Sequence, residues 1–227
     1  MALATYKDLC IDAVDPGLLG RFWASVLDLE LDERGTDPAP LTGPTKQHTV
    51  WLSPVAEAKS VKHRVHIDIN ASSVAEVAAL GATVVDDRSF PWTVMTDPEG
   101  GELCVFTREG EIERRLYEIS MDCVEPHELA AWWGEVLGGR VVDSERGLSY
   151  VDEIPGAPFE SLVFSSVPEP KTAKNRIHLD VATPDVDALV TAGASVVRPK
   201  DDEIDWHVLA DPEGNEFCAF LRKVSDR

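Results

Sequence analysis

Two segments of alternating polarity each carry a histidine followed two residues later by an aspartate. HRVHIDI contains His66 and Asp68, and NRIHLDV contains His178 and Asp180. Alternate residues of a β-strand point to the same face of its sheet, so each histidine shares a face with its aspartate. An imidazole beside a carboxylate is suited to binding a metal ion or transferring a proton. Both histidines are therefore candidate site residues, with a purely structural role as the alternative.

Further acids and cysteines fall on the same strand faces. In the neighbouring segments, the alternation of side chains places three more residues of each repeat on these faces. They are Asp8, Glu102 and Cys104 in the first repeat and Glu118, Glu216 and Cys218 in the second. Carboxylates serve as metal ligands or as general acids and bases, and we take Glu118 and Glu216 as candidate catalytic groups. The alternative is that these acids line the solvent side of two antiparallel sheets. The cysteines fit best as small buried residues.

Two tryptophans adjoin these segments. Trp92 and Trp206 precede the two DPEG sequences, and each can stack on a flat ligand, with edge packing as the alternative. His207 follows Trp206 directly, so only one of the two can face a cavity. We take Trp92, Trp206, His207 and Cys218 as candidate ligand-binding residues.

The chain repeats itself. DPEGGELCVF at 97–106 returns as DPEGNEFCAF at 211–220, and DPGLLGRFWASVLDL at 15–29 is answered by EPHELAAWWGEVLGG at 125–139. Together with the two histidine segments, these matches have offsets of 110 to 114 residues. Self-similarity at a fixed period predicts two homologous domains, 1–110 and 111–227. The charged segment 107–116 lacks apolar periodicity and suits a linker between them.

The coarse pattern of each repeat is strand, helix, strands, and then the same again. Asp15 and Pro16 are typical of a helix start, and apolar residues follow at helical spacing. Shorter helices are predicted at 73–80, closed by Gly81, and at 185–191, closed by Gly193. The segments between them alternate with a period of two, which predicts strands. The fold class is therefore α+β, with two βαβββ modules in each domain.

Composition limits the partners and the location. The 227 residues include 21 basic and 41 acidic side chains, a formal net charge of −20, which disfavours nucleic acids and anionic membrane surfaces. No segment resembles a signal peptide or a membrane span, so we expect a cytoplasmic protein. Four scattered cysteines without a CxxC pair indicate reduced thiols.

These motifs together resemble a known group of proteins. The paired βαβββ modules, the DP before an FW-containing helix, and the segments EPKTAKNRIHLDV and DPEGNEFCAF resemble the vicinal oxygen chelate superfamily. More narrowly, they resemble tandem glyoxalase-like domains of the actinobacterial type. The resemblance implies that each domain curls into a partly open barrel around a cavity, with a divalent metal in many members.

The resemblance also implies a ligand set, carried over position by position. The first-strand ligand falls on Asp8 and Glu118, and the strand histidine on His66 and His178. The position of the usual glutamate holds Cys104 or Cys218, with Glu102 or Glu216 one pleat away as a substitute. The expected metal ligands are therefore His178, Glu118, Glu216, His66, Asp8 and Glu102. The metal would be Zn, Ni, Mn or Fe, or there would be none.

Three functions are open on this basis. The first is a metal-assisted lyase or isomerase that acts on a small molecule. The second is a metal-independent protein that binds a drug or metabolite, similar to bleomycin-resistance proteins. The third is a metal-free enzyme that uses a carboxylate or a histidine as its base. In each case the two domains form an intramolecular pseudo-dimer, with further oligomerisation open.

The second repeat is expected to carry the function. It has the longer connection, 143–164, which is able to roof a pocket, and it presents Glu118 where the first repeat has the shorter Asp8. It also adds His207 next to Trp206. We therefore expect loss of His178 to be more severe than loss of His66.

Overall fold

The computed structural model describes residues 2–32, 39–144 and 147–222 and shows four βαβββ modules. Module 1 comprises β1 (Thr5–Ala13), α1 (Pro16–Leu27), β2 (Glu30–Leu31), β3 (Ala39–Thr42), a 3-10 turn (Lys46–His48) and β4 (Val50–Pro54). Module 2 comprises β5 (Val65–Ala71), α2 (Val74–Ala79), β6 (Thr83–Asp86), β7 (Thr93–Thr96) and β8 (Glu102–Thr107). Module 3 comprises β9 (Leu116–Cys123), α3 (Pro126–Leu137), β10 (Arg140–Asp143), β11 (Leu148–Asp152) and β12 (Ser161–Ser166). Module 4 comprises β13 (Ile177–Thr183), α4 (Val186–Thr191), β14 (Ser195–Arg198), β15 (His207–Ala210) and β16 (Glu216–Leu221).

The long helices form where the sequence predicts them, and for the expected reasons. Asp15 accepts a hydrogen bond from the backbone N–H of Leu18, which satisfies one of the free donors at the start of α1. Phe22 and Trp23 of α1 are buried, as are Trp132 and Trp133 at the matching positions of α3. Burying such a side chain contributes about 1.5–3 kcal/mol, so each helix is held to its sheet mainly by this apolar stripe.

The short helices end as expected at glycines. Gly81 after α2 and Gly193 after α4 have φ angles of 116° and 118°, which lie in a region that favours glycine. The α+β class and the four modules are thus confirmed. The boundaries 1–110 and 111–227 stay a prediction.

The strands form two sheets of eight strands. The first, which we call sheet I, has the order β14-β15-β16-β13-β1-β4-β3-β2. The second, sheet II, has the order β10-β11-β12-β9-β5-β8-β7-β6. Antiparallel pairing of β1 with β13 joins the two halves of sheet I, and pairing of β5 with β9 joins those of sheet II, so both sheets stay open at their outer strands. Sheet I therefore joins modules 1 and 4, and sheet II joins modules 2 and 3.

This strand order corrects the expected grouping of the site residues. Each sheet takes one module from each repeat, so no sheet corresponds to one repeat alone. Glu118 belongs to the same sheet as His66, and Asp8 to the same sheet as His178. The expectation that His178 and Glu118 share a site in the second repeat is therefore wrong, because the first strand of module 3 pairs with module 2.

Contacts between equivalent loops also join the two repeats. Arg64 donates a hydrogen bond to the carbonyl oxygen of Glu169 at 2.7 Å, and Arg176 donates to that of Glu57 at 2.7 Å. Each arginine thus holds a loop of the other repeat. This arrangement fits the expected intramolecular pseudo-dimer. Among the described residues, no helix is long and apolar enough to cross a membrane.

Candidate functional site

A chain of hydrogen bonds crosses β5 and β9 on the face of sheet II that the helices leave free. His66 Nδ1 lies 2.7 Å from Asp68 Oδ1, and the Ser120 hydroxyl donates to Asp68 Oδ2 at 2.7 Å. The groups meet because His66 is paired with Ser120 and Asp68 with Glu118 in the antiparallel register. Asp68 thereby fixes the orientation of the imidazole, and such an arrangement prepares the other ring nitrogen to accept a proton or a metal ion.

Burial and charge act in opposite directions on this imidazole. Burial by itself lowers the pKa of His66, but the Asp68 carboxylate outweighs it, so the pKa lies above its ordinary value. Burial raises the pKa of the neighbouring Cys104 thiol, and the charge of Asp68 adds to this effect. Cys104 is therefore a neutral thiol near pH 7 as long as no metal ion replaces its proton.

Glu118 lies beside this chain of hydrogen bonds. Its carboxylate accepts a hydrogen bond from the Ser161 hydroxyl at 2.8 Å. Burial raises the pKa of Glu118 to about 7; the bond from Ser161 opposes the shift, and the charges of Asp68 and Glu160 add to it. Both protonation states of Glu118 are therefore populated near neutral pH, as a group that exchanges protons with a ligand requires.

A cavity of about 920 Å³ opens over these residues in sheet II. One wall is aromatic: the rings of Phe90 and Trp92 stack at 5.1 Å, Trp92 and Phe106 at 5.3 Å, and Tyr117 meets Phe106 edge-on at 5.0 Å. Val163 and Tyr150 lie on the opposite side, on strands of the long connection predicted to roof a pocket. Residues 145 and 146 of that connection lie outside the described residues. A cavity of this size, with an apolar wall and polar groups that can orient a ligand, is typical of a small-molecule site.

Sheet I carries an equivalent set around His178. The Cys218 sulfur lies 3.3 Å from His178 Nε2, and Asp180 Oδ1 lies 3.3 Å from the same atom. Cys10 is paired with His178 in the register, at the position that Ser120 has in sheet II. Burial by itself lowers the pKa of His178, but hydrogen bonds with Asp180 and the two cysteines raise it well above its ordinary value.

Trp51 distinguishes the two sheets. It lies beside Cys10 in β4, and its indole N–H donates to Asp8 Oδ2 at 3.1 Å. The equivalent residue of sheet II is Val163, which lies beside Ser120 and lines the cavity. The indole therefore occupies space in sheet I that the smaller valine leaves open in sheet II. The His178 and His66 side chains are about equally exposed, at 12% and 13%.

Asp8 is buried under this indole. Burial raises the pKa of Asp8 to about 7, and the facing carboxylate of Asp180 adds to the shift, while the hydrogen bond from Lys7 at 2.6 Å opposes it. Asp8 and Asp180 are directly paired in the register. Two carboxyl groups so placed favour retention of one proton.

The two remaining acidic candidates form ion pairs with lysines. Glu102 lies 2.6 Å from Lys59 and accepts the backbone N–H of His63, and Glu216 lies 2.7 Å from Lys171 and accepts that of Asn175. Burial by itself raises the pKa of Glu102, but the hydrogen bonds from Lys59 and the backbone, together with the charge of Lys59, outweigh it, so the pKa is lowered. Neither glutamate belongs to a three-donor group of the described residues. Both hold the loops that precede β5 and β13.

The register separates Trp206 from His207. Val208 is paired with Cys218 and His207 with Ala219, which is fully buried in the core. Directly paired residues share a face, so His207 lies on the face covered by the helices. Trp206 lies on the other face, where its ring packs against Phe220 at 5.4 Å. The structure thus brings Trp206, but not His207, towards the His178 site.

The structure also brings in residues that the strand parities missed. Tyr117 is the extra residue of a β-bulge in β9, since Glu118 faces Asp68 and Leu116 faces Ile69. Simple alternation places it on the face opposite to Glu118, whereas it lines the same cavity. The sequence did not single out Trp51, because SLVFSS also contains an aromatic residue, Phe164, and only the strand register shows that Val163 has the position of Trp51.

The fold family implies a divalent metal, and the donor sets fit one. Ligand atoms of His66, Asp68 and Cys104 lie within 4.8 Å of one another, as do those of the equivalent group in sheet I. Imidazole, carboxylate and thiolate are the ligands that zinc takes, and three of them beside an open cavity match a site with a free position. Of the six predicted ligands, only the two histidines belong to these groups.

Fold and site together define a protein of two tandem domains, with βαβββ modules paired in two sheets and a cavity over sheet II. The sequence pattern of the glyoxalase-like domain matches residues 8–106 and again 118–220. The chain therefore belongs to the glyoxalase-like domain family, within the vicinal oxygen chelate superfamily. No curated protein matches the sequence.

Solved structures of low sequence identity share the fold. A glyoxalase I mutant from Zea mays superposes with a TM-score of 0.70 at 13% identity, covering 96% of this chain and 93% of its own. Glyoxalase I from Zea mays gives a TM-score of 0.68 at 13% identity, with 96% and 92% covered. A proposed dioxygenase from Bacillus subtilis subsp. subtilis strain 168 gives 0.65 at 13% identity, with 99% and 88% covered. At these identities the likeness establishes the fold alone.

Proposed function

We propose that the protein binds a small organic molecule in the cavity of sheet II. The observation that carries this proposal is the cavity of about 920 Å³ in sheet II, which is lined by His66, Glu118 and an aromatic wall. In sheet I, the larger Trp51 has the position of Val163 and donates a hydrogen bond to Asp8. Both sheets otherwise keep the same histidine, aspartate and cysteine positions. The smaller residue leaves more space beside the histidine in sheet II, which favours this sheet as the ligand site.

The lining determines how such a ligand is held. Trp92, Phe106 and Tyr117 offer ring faces for a flat or apolar body. Glu118 and His66, at the closed end, supply one carboxyl group and one imidazole to the polar part of the ligand. Binding in this cavity removes both from water, which strengthens their hydrogen bonds to the ligand.

A second candidate function is a metal-assisted isomerase or lyase, and the convergence of His66, Asp68 and Cys104 beside the cavity favours it. A divalent ion held there would polarise an oxygen of the substrate. In this reaction, the aromatic wall would hold the substrate and Glu118 would transfer a proton. With a pKa of about 7, Glu118 can both accept and return that proton near neutral pH.

The location is part of the proposal. All four cysteines are free and buried, which is compatible with a reducing compartment. We therefore keep the cytoplasm as the expected place of function, with a small molecule as the partner.

Exchanging the residues that differ between the sites tests the primary function. Val163→Trp should narrow the cavity beside Ser120 and weaken binding of the neutral dye Nile red by about tenfold or more, because part of the apolar surface that the dye would contact is lost. Trp51→Val is the matched control and should leave the affinity of the sheet II site unchanged; dye that enters the space opened in sheet I would appear as a second site. Dye fluorescence gives the affinities, and circular dichroism shows whether the variants are folded. Unchanged binding by a folded Val163→Trp variant would contradict the proposal.

Mass spectrometry separates the two candidates. Protein purified without chelator should retain a small molecule under native conditions and lose it in the Val163→Trp variant. Elemental analysis of the same sample measures metal. Stoichiometric zinc, nickel, manganese or iron that is reduced in a Cys104→Ser variant would favour the metal-assisted enzyme.

A further inference from the structure

In sheet I, the chain places one of its own ammonium groups between a carboxylate and an aromatic ring. Lys7 Nζ lies 2.6 Å from Asp8 Oδ2 and 4.2 Å from the centre of the Phe220 ring. Lys7 reaches this position because it is the extra residue of a β-bulge in β1, where Tyr6 faces Val181 and Asp8 faces Asp180. Bulges of this kind turn a side chain to the other face of a sheet. In sheet I, the Asp8 carboxylate and the Phe220 ring therefore already contact an ammonium group of the chain.

Sheet II repeats the acceptors without the ammonium. The alignment of the two repeats matches Asp8 with Glu118, Lys7 with Tyr117, and Phe220 with Phe106. The bulge is also repeated, with Tyr117 as its extra residue. In the described part of the chain, no lysine or arginine forms an ion pair with Glu118.

The aromatic frame around the two positions is the same. Trp206 and Phe220 lie 5.4 Å apart with an interplanar angle of 31°, and Trp92 and Phe106 lie 5.3 Å apart with an angle of 29°. The rings in sheet II therefore present an equivalent face to the cavity. A ring face attracts an organic cation through its quadrupole, and most strongly where water is excluded.

We propose that the cavity of sheet II takes small organic ammonium compounds, whose nitrogen lies between the Glu118 carboxylate and the Phe106 ring, where Lys7 lies in sheet I. This inference rests on the proposed function, since it names the class of ligand for the same cavity. With Tyr117 in place of the lysine, β9 supplies no ammonium group to Glu118.

The charge of the lining supports a cationic ligand. One lysine, Lys62, lines the cavity, and it is paired with Asp122. The carboxyl groups of the lining are Asp68, Asp86, Glu102, Glu118, Asp122, Asp152 and Glu160. The Arg108 guanidinium lies 4.7 Å from the centre of the Tyr117 ring and 5.6 Å from that of Phe106, fixed by a hydrogen bond to Asn70. Arg108 thus contacts part of these ring faces, and its charge also acts on Glu118, where it opposes the rise of the pKa caused by burial. It forms no ion pair with Glu118 among the described residues, so the carboxylate itself has no cationic partner at contact distance.

Three probes with one phenyl ring and different charge test the inference. They are 2-phenylethylammonium, 2-phenylethanol and 3-phenylpropionate, titrated calorimetrically into protein treated with chelator. The buffer is at pH 8.5, above the pKa of about 7 of Glu118, so that its carboxylate is ionised. The ammonium compound should bind about tenfold or more tighter than the alcohol, and the carboxylate compound weakest. Removal of metal ensures that no bound ion affects the order.

Two substitutions at one position give the sharpest comparison. Tyr117→Lys should reproduce the arrangement of sheet I and reduce binding of the ammonium compound by about tenfold or more, because the chain itself then supplies the cation. Tyr117→Met, which has a similar length and no charge, is the matched control and should keep the preference for the ammonium compound. Glu118→Gln should remove that preference while the alcohol still binds.

The outcomes are distinct. Equal binding of the ammonium compound and the alcohol, or an undiminished preference in folded Tyr117→Lys protein, would overturn this inference and leave the proposed function intact. If none of the three probes binds and Nile red binding is also absent, the proposed function fails, and this inference fails with it.

Discussion

At the scale of single residues, the two sites are nearly identical in donors and differ at the position of Trp51 and Val163. His66 and His178 each have an aspartate and a cysteine within reach, and both imidazoles have pKa values above the ordinary value. His178 contacts Cys218 in the sheet that carries Trp51, whereas His66 lines the cavity beside Val163. The same residue type is therefore expected to be structural in sheet I and functional in sheet II.

His66→Ala should therefore weaken binding of 2-phenylethanol more than His178→Ala, the reverse of the expectation from the sequence. Removing a polar group that contacts a ligand costs about 1 kcal/mol or more, roughly fivefold to tenfold in affinity. His178→Ala should leave affinity nearly unchanged and lower the melting temperature instead, because it leaves buried polar partners unsatisfied. Calorimetry and thermal unfolding measure the two effects. A larger loss of affinity in His178→Ala would return the function to sheet I.

At the scale of elements, the two repeats differ at pairs of contacting residues, and both residues of a pair differ together so that each DPEG turn stays packed. In the DPEG turn of module 2, Gly101 leaves room for the ring of His63, and a Cβ at this position would lie 2.8 Å from His63 Cε1. The matching turn of module 4 has Asn215, whose side-chain oxygen accepts a hydrogen bond from Asn175 at 2.9 Å. The large His63 before β5 is thus matched by the small Gly101 before β8.

This coupling predicts the effect of exchanging the pair. Gly101→Asn alone should lower the free energy of unfolding by about 1–3 kcal/mol, because the new side chain overlaps His63 and Asp97. The double change His63→Asn with Gly101→Asn reproduces the pair of module 4 and should recover most of that loss. Urea unfolding of both single variants and the double variant completes the cycle. Strictly additive effects would show that the two positions are not coupled.

At the scale of the whole molecule, the sequence predicted the modules but not their pairing. The repeat offsets, the helix stripes around Trp23 and Trp133, and the strand parities all appear in the structure as expected. Which module completes a sheet is decided by contacts between distant segments, such as β1 with β13. Because all four modules have the same alternation of polarity, local pattern holds no signal that selects one partner. The alternation of side chains did not identify Tyr117 as a cavity residue, because a β-bulge breaks this alternation without a marker in the sequence.

Stability should also depend on pH at this scale, because the protein buries acids in a chain with a net charge of −20. Burial raises the pKa of Asp97, in the first DPEG turn, from 3.8 to about 6, although the N–H groups of Gly101 and Glu99 oppose the shift. The folded state therefore binds this proton more tightly than the unfolded state. The contribution to stability is complete below pH 3.8 and is lost as the pH rises through about 6.

Asp97→Asn isolates this contribution, since the amide oxygen can still accept both backbone N–H groups. Between pH 4 and pH 7, the free energy of unfolding of the variant should rise relative to the natural chain by up to about 3 kcal/mol. Asp86→Asn is the matched control: Asp86 is exposed and accepts hydrogen bonds from Arg88 and Ser89, which lower its pKa. Because that shift has the opposite sign, the control should lose stability relative to the natural chain as the pH rises. Urea unfolding at a series of pH values measures both, and a pH-independent difference for Asp97→Asn would show that this carboxyl group has the same proton affinity in the folded and unfolded states.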